Sequence, residues 1–417
     1  MIQSGSSLNS VYYDEEECLG FNVFLAELEL LIGNGKREKS ISQAPLLELL
    51  QKVGSSIASS DPQVLKQYQQ KVENLLFDIL AQGVGLAIRK QIFTCLGLLY
   101  TRGEFYTMYR RISEIQSFLL SSDGGLSKKL PEHIVLGLLE CLAFLSQYMG
   151  RHLASAAIES MSISSKILSF ARGGSLLRVA AVKLASAVVL GLNPDDRSAV
   201  AVQLDGWILC RKTARDPACP RVRTASLSLL SVLCARGGAG LWRDSAQGWE
   251  DAVRICHDSL DDVDPSVRDS AAAALGDLAA CATSAYAREA AAAERRPNRK
   301  IQIERWTGGG GAIQLCLEQP MIDAALHPNR REASLAMAGA WISYLNCLQR
   351  TRTRSDFDAE AEVLALRVIG VGHEAGRQLR LQRLNSQGRW VPSDGISSTG
   401  MSGEVGGGGF GGGGGGF

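Results

Sequence analysis

Along most of this chain apolar residues recur at steps of three and four, the spacing that places side chains on one face of a helix. They do so in segments 21–32, 46–57, 62–80, 105–120, 153–170, 199–211 and 249–260. The clearest segment begins Asp264-Pro-Ser-Val-Arg268. Asp264 suits a helix cap, and Pro265 suits a first helical position, where a missing N–H costs nothing. Val267, Ala271, Ala274, Leu275 and Leu278 then share one face, and the alanines invite a close neighbour.

The same grammar returns at a nearly constant interval. Arg223 lies 45 positions before Arg268 and follows Asp216-Pro-Ala-Cys-Pro220; Arg178 lies another 45 before it. A further 45 reaches His133, just after Pro131, where an arginine stands in the other copies, and 44 more reaches Arg89. From Arg268 forward to Arg331 is 63 positions, a surplus of 18 that falls in a low-complexity stretch at about 289–311 ending in four glycines. The period predicts an all-α protein, an α-solenoid of HEAT or armadillo-type helical repeats, in which helix pairs bury their apolar stripes by stacking. The Asp, Pro, Val, Arg turn favours the HEAT form. At equivalent turns the arginines are placed to pair with acids such as Asp216 and Asp264 in a ladder between repeats, a structural role.

The array is expected over residues 21–387, with residues 1–20 and the glycine-rich 388–417 disordered. Residues 357–384 read as charged helices, with Arg367, Arg377, Arg380 and Arg383 on a solvated face. Composition agrees: 46% of residues are apolar but only 6% aromatic. With 44 basic against 43 acidic residues, no overall field recruits nucleic acid or an anionic membrane. Leu176–Leu192, the most apolar stretch, is broken by Arg178 and Lys183, so membrane association is expected only through partners. The polar, acidic start MIQSGSSLNSVYYDEEE has no secretory pattern, which points to the cytoplasm.

Ten cysteines are scattered with no Cys-x-x-Cys pair, and they read as small buried apolar groups of a reducing compartment. His133, His152, His257, His327 and His373 fall on separate repeats. Cys256-His257-Asp258 sets three reactive types side by side, but consecutive helical residues diverge by about 100° and form no relay. Gly33-Asn-Gly35-Lys36 lacks the rest of a phosphate loop. No catalytic, cofactor-binding or metal-binding residue is therefore assigned, no cofactor is expected, and the chain reads as a non-enzyme.

Several stretches resemble the N-terminal region of the HEAT repeat-containing protein 5 family, large accessory proteins of the trans-Golgi clathrin adaptor. They are Ile88-Arg-Lys90 with Cys95-Leu-Gly-Leu-Leu-Tyr100, Gly103-Glu-Phe105-Tyr-Thr-Met108, Leu130-Pro131, Tyr148-Met-Gly-Arg151 and Leu153-Ala-Ser-Ala156. The segment 21–31 looks like that family's first helix. The resemblance covers residues 20–235, and family members are several times longer than this chain. It implies a protein-binding scaffold in vesicle traffic between endosomes and the trans-Golgi, working beside a clathrin adaptor complex at those membranes. The other reading compatible with the repeats is a regulatory or scaffold subunit of a phosphatase, nuclear-transport or condensin-like complex.

Overall fold

The computed structural model describes residues 22–33, 43–120, 131–169, 174–193, 197–242, 246–294, 313–326 and 331–351, all in helices or the turns between them, with no strand among them. The helices are α1 (22–33), α2 (Gln43–Ser59), α3 (Pro62–Leu80), α4 (Leu86–Arg102), α5 (Tyr106–Leu120), α6 (Glu132–Met149) and α7 (Ala157–Ser169). They continue with α8 (Ser175–Gly191), α9 (Arg197–Thr213), α10 (Pro220–Trp242), α11 (Ala246–Ser259), α12 (Pro265–Glu294), α13 (Gln319–Leu326) and α14 (Arg331–Thr351). Gly150–Ala156 forms a 3-10 segment and Gln314–Glu318 a π-helical turn.

Even-numbered helices from α2 to α14 pack each against the next in one layer, and α3, α5, α7, α9 and α11 lie over the seams in a second. The chain is an all-α helical-repeat solenoid. First residues Leu86, Glu132, Ser175, Pro220 and Pro265 lie 46, 43, 45 and 45 positions apart, so the arginine register is also a register of helix starts. Pairing neighbours in a layer removes both flanks of a helix from water. In α8, Leu177, Ala180, Ala181, Val182, Leu184, Ala185, Val188 and Val189 are all buried in one continuous core. At α1 the exposed side reaches α3 through Lys71–Glu29 at 3.0 Å and a 2.8 Å hydrogen bond from Asn22 to Tyr68.

Polar side chains lock successive repeats. Asp61 caps α3, its carboxylate accepting the Gln63 N–H at 2.7 Å. The buried Gln69 amide on α3 donates to the Glu104 carbonyl at 2.8 Å and accepts its N–H at 2.5 Å, which fixes the turn before α5. Gln116 repeats the device one repeat on, donating to the Ala156 carbonyl at 2.8 Å and Ser160 Oγ at 2.9 Å. Between them, fully buried Glu73 pairs with Arg111 at 3.3 Å, whose guanidinium lies 5.0 Å over the Phe77 ring.

Two details depart from the sequence expectation. The helix expected from Leu153 begins at Ala157, because Gly150 at φ 52 turns the chain out of α6 and residues through Ala156 tighten into 3-10 turns. Glu132–Ser169 is long and apolar enough to cross a membrane by composition, unlike Leu176–Leu192, but that bend folds it into α6 and α7, both packed in the array. Helix α12 continues to Glu294, into the stretch expected as an insertion. The rest of that stretch, the expected disordered ends 1–20 and 388–417, and the helices expected at 357–384 lie outside the described residues.

One close seam is between α12 and α14, where a Cβ on Gly276 would collide with the Ala340 carbonyl and lie 2.9 Å from the Tyr344 nitrogen. Backbone faces backbone there, so neither side has a flexible end to give way. Gly276→Ala is expected to cost about 2–3 kcal/mol, measured by chemical denaturation. A change within about 0.5 kcal/mol would mean that the seam is looser than this.

Candidate interaction surface

The repeat arginines occupy the fourth position of their helices, one turn in, where a long side chain can reach back to its own turn and sideways to the next repeat. Arg89 donates to the Val84 carbonyl at 2.8 Å and pairs with Glu140 of α6 at 2.7 Å. Arg178 pairs with Asp216 in the turn before α10. Arg223 donates to the Asp216 carbonyl at 2.8 Å and grips Asp262 with two bonds, at 2.7 and 2.8 Å. Arg268 donates to the carbonyls of Asp262 at 2.7 Å and Val263 at 3.0 Å, and pairs with Glu332 of α14.

The acids divide their work. Asp216 takes Arg178 on one oxygen and the N–H groups of Ala218 and Cys219 on the other, at 3.0 and 2.9 Å. Asp264 is a helix cap, accepting Ser266 N–H at 2.9 Å and Ser266 O–H at 2.6 Å, and the ladder acid beside it is Asp262. His133 has no guanidinium reach: it is exposed, and its ring sits against the turn at Gly83, where an added Cβ would lie 3.0 Å away. Arg331 opens α14, and its side chain lies outside the described residues. Arg89, Arg178, Arg223 and Arg268 tie successive repeats together.

Cys256 is fully buried, and burial first, then its neighbours, push its thiol well above the usual value. Asp258 faces outward to Arg215 at 2.7 Å. The Cys256-His257-Asp258 run is thereby split between the core and the surface. Burial likewise pushes the thiols of Cys95, Cys141 and Cys210 up to about 12. No disulfide joins any two described cysteines, and no group of three or more His, Cys, Asp or Glu among the described residues is placed to hold a metal ion.

What the sequence reading missed lies on the outside of the second layer. Val200, Leu204 and Ile208 of α9 remain 53%, 44% and 47% exposed, one turn apart, while Ala199, Val202, Leu209 and Cys210 of the same helix enter the core. An open hollow of about 700 Å³ lies near the N-terminal end of α9, lined by Arg151, His152, Ser155, Ile158, Asn193 and Ser198 among others. Ile158 of α7 is 51% exposed there. The signal was present as apolar residues on a second face of α9, but spacing alone does not say which face the layer covers.

No family model matches the chain. Protein SWEETIE of Arabidopsis thaliana is 24% identical over 344 residues, 82% of this chain, and the chain spans 14% of that protein's length. A solved engineered protein aligns over 86% of this chain and 95% of its own, at 14% identity and a TM-score of 0.30, a likeness too slight to bear on the fold.

Two outcomes test the ladder and the buried thiols. Arg223 and Asp262 are only 16% and 12% exposed, whereas the Glu332 partner of Arg268 is 71% exposed. Arg223→Ala is therefore expected to cost about 2 kcal/mol, by stranding Asp262, and Arg268→Ala about 1 kcal/mol, compared by thermal melting. At Asp262, burial raises the carboxyl pKa, the Arg223 and Asp264 hydrogen bonds lower it, and the net is below the ordinary value. A depressed folded-state pKa contributes stability that is full above the unfolded pKa and is lost as pH falls through the folded one. The acid limb of the stability profile is expected to be shallower in Arg223→Ala. Native protein at pH 8 is expected to leave Cys95, Cys141, Cys210 and Cys256 unlabelled by maleimide while Cys219 reacts, and mass mapping of rapid labelling at the buried four would contradict their placement.

Proposed function

We propose that this chain is a non-catalytic, cytoplasmic protein-binding scaffold, an accessory factor in clathrin-adaptor-dependent vesicle traffic between endosomes and the trans-Golgi. The observation that carries the scaffold reading is the apolar line of Val200, Leu204 and Ile208, left facing water on a helix whose other side is fully used by the core. Apolar groups held in line on a stiff element gain from a partner that removes them from water. Scattered single exposed residues carry no such implication.

The traffic reading rests on the resemblance of Ile88–Lys90, Cys95–Tyr100, Gly103–Met108 and Tyr148–Arg151 to the HEAT repeat-containing protein 5 family. Among these residues Cys95, Leu96, Leu99, Tyr100, Met108 and Met149 are buried, so they set the packing of α4 to α6 and through it the shape of the array. In this reading the work is done by shape: stacked repeats hold docking positions at fixed spacing, and membranes are approached through bound partners.

Capture of a tagged full-length chain from cells, with proximity labelling, is expected to return clathrin-adaptor subunits or endosomal proteins. Recovery of only nuclear-transport, phosphatase or condensin-type subunits would overturn the traffic reading and leave the scaffold. Recovery of no specific protein would overturn both.

A further inference from the structure

We infer that the outward flank of α14, formed by Leu335, Gly339 and Ile342, pairs with the same flank of a second copy of this chain, the two helices running antiparallel. This goes beyond the scaffold reading and does not depend on it.

The arginine register identifies the flank. Eight residues after each arginine stands a small residue: Gly97, Ser186, Ser231, Gly276 and, counted from Arg331, Gly339. In the first four cases the residues four before and three after it are buried. They are Phe93 and Tyr100 in α4, Val182 and Val189 in α8, Leu227 and Cys234 in α10, and Ala272 and Ala279 in α12. At α4 the cover is the next first-layer helix, since Phe93 packs on Phe144 of α6 and a Cβ on Gly97 would lie 3.0 Å from the Tyr148 ring. At α12 it is again the next, with Gly276 facing the backbone of α14. In α14 the corresponding Leu335 and Ile342 are 71% and 60% exposed, and a Cβ on Gly339 would meet open space. Among the described residues α14 packs on α12, α13 and the π-helical turn. Residues 333–349 carry no charged side chain, the composition of a helix covered on more than one side.

The charge pattern selects the occupant. At the other end of the first layer, α2 exposes Glu48, Gln51, Lys52 and Ser55, with Lys52 paired to Glu48 at 3.0 Å. A copy stacked head to tail would bury those charges against Leu335 and Ile342, at a desolvation cost. Further along this chain, Arg377 keeps the interval, 46 positions after Arg331. The positions one before, three after and six after it are Gly376, Arg380 and Arg383. In α10 the same positions are Val222, Ser226 and Leu229, and in α12 they are Val267, Ala271 and Ala274, all fully buried. Two guanidinium groups at core positions oppose burial on an apolar flank.

The flank of α14 matches itself. Ala338 and Gly339, both exposed, lie midway between Leu335 and Ile342. A two-fold axis at that point sets each Leu335 against Ile342 of the second copy, with the small residues at the crossing, where the backbones can approach as they do at Gly276. An isologous pair needs only one self-complementary patch. A single helix pair is smaller than the about 1,200 Å² of a stable interface, so the dimer is a weak one.

The test is sedimentation of the full chain between about 1 and 100 μM. A reversible monomer–dimer equilibrium is expected. Leu335→Glu or Ile342→Glu is expected to raise its dissociation constant about tenfold, while Leu204→Glu, on the exposed side of α9, leaves it unchanged. All three replaced side chains are exposed, and melting at the lowest concentration checks that folding is intact. Orientation is read by oxidative crosslinking, which needs no charged substitution. Chains carrying Leu335→Cys, mixed with chains carrying Ile342→Cys, are expected to link 335 to 342, located by mass mapping, in excess of 335–335 and 342–342 links. Dimers indifferent to both glutamates, or links dominated by 335–335 and 342–342, would overturn the inference. So would a chain that stays monomeric throughout the range, the outcome expected if residues after 351 or a different protein covered the flank. The capture experiment is unaffected by any of these results, so the scaffold reading stands or falls separately.

Discussion

An even-numbered helix of this array has apolar residues on both flanks, and one neighbour covers only one flank. Helix α8 shows the constraint most fully, with buried residues around nearly its whole circumference between α6 and α10. No helix pair can satisfy this alone, so stability is held at the seams between repeats. Everything else in the molecule serves those seams. Small residues set how closely helices approach, as at Gly276 against Ala340. Polar side chains set how far a repeat can slide or rotate on its neighbour.

The two layers use different polar devices for that second task. In the first layer, Arg89, Arg223 and Arg268, one turn into α4, α10 and α12, are each satisfied partly by their own turn and partly by the next repeat, as Arg223 is by the Asp216 carbonyl and the Asp262 carboxylate. A bidentate, charge-assisted contact is directional, so it fixes angle as well as distance. In the second layer, the neutral amides of Gln69 and Gln116 do the corresponding work on backbone groups of the following turn. The step at α6 departs from the arginine pattern. His133 is too short to reach the next repeat, while the seam before it, from α4 to α6, is held by Arg89–Glu140 and by Phe93 packed on Phe144 with ring centroids 6.0 Å apart.

This division leaves the surface chemically quiet where the chain's reactive types occur. Burial pushes the thiols of Cys95, Cys141, Cys210 and Cys256 upward, and acids such as Asp216 and Asp262 are consumed by caps and arginines. Apolar area remains exposed on several helices, among them Val200, Leu204 and Ile208 on α9 and Leu335 and Ile342 on α14. A stiff array is well suited to hold such residues in place, because a binding surface that needs no ordering loses less on association.

The sequence by itself determined the helices, their period and the anchoring arginines, because both helix faces and turn chemistry are local and repeat at a fixed distance along the chain. It set Arg89, Arg178, Arg223 and Arg268 at a near-constant interval and named Asp216 and Asp264 as acids such arginines could pair with, without saying which arginine meets which acid; the tertiary structure sets Asp216 against Arg178. The tertiary structure decided the remainder. Asp264 and Asp262 are two residues apart and both acidic, and only the path of the turn makes one a cap and the other a ladder partner. Gln69, Gln116 and Glu73 look like ordinary polar residues until the neighbouring turn is placed over them. The line on α9 is equally invisible from spacing, since whether Val200, Leu204 and Ile208 face the core or water depends on where the adjacent helices lie, a contact made by residues far away in sequence.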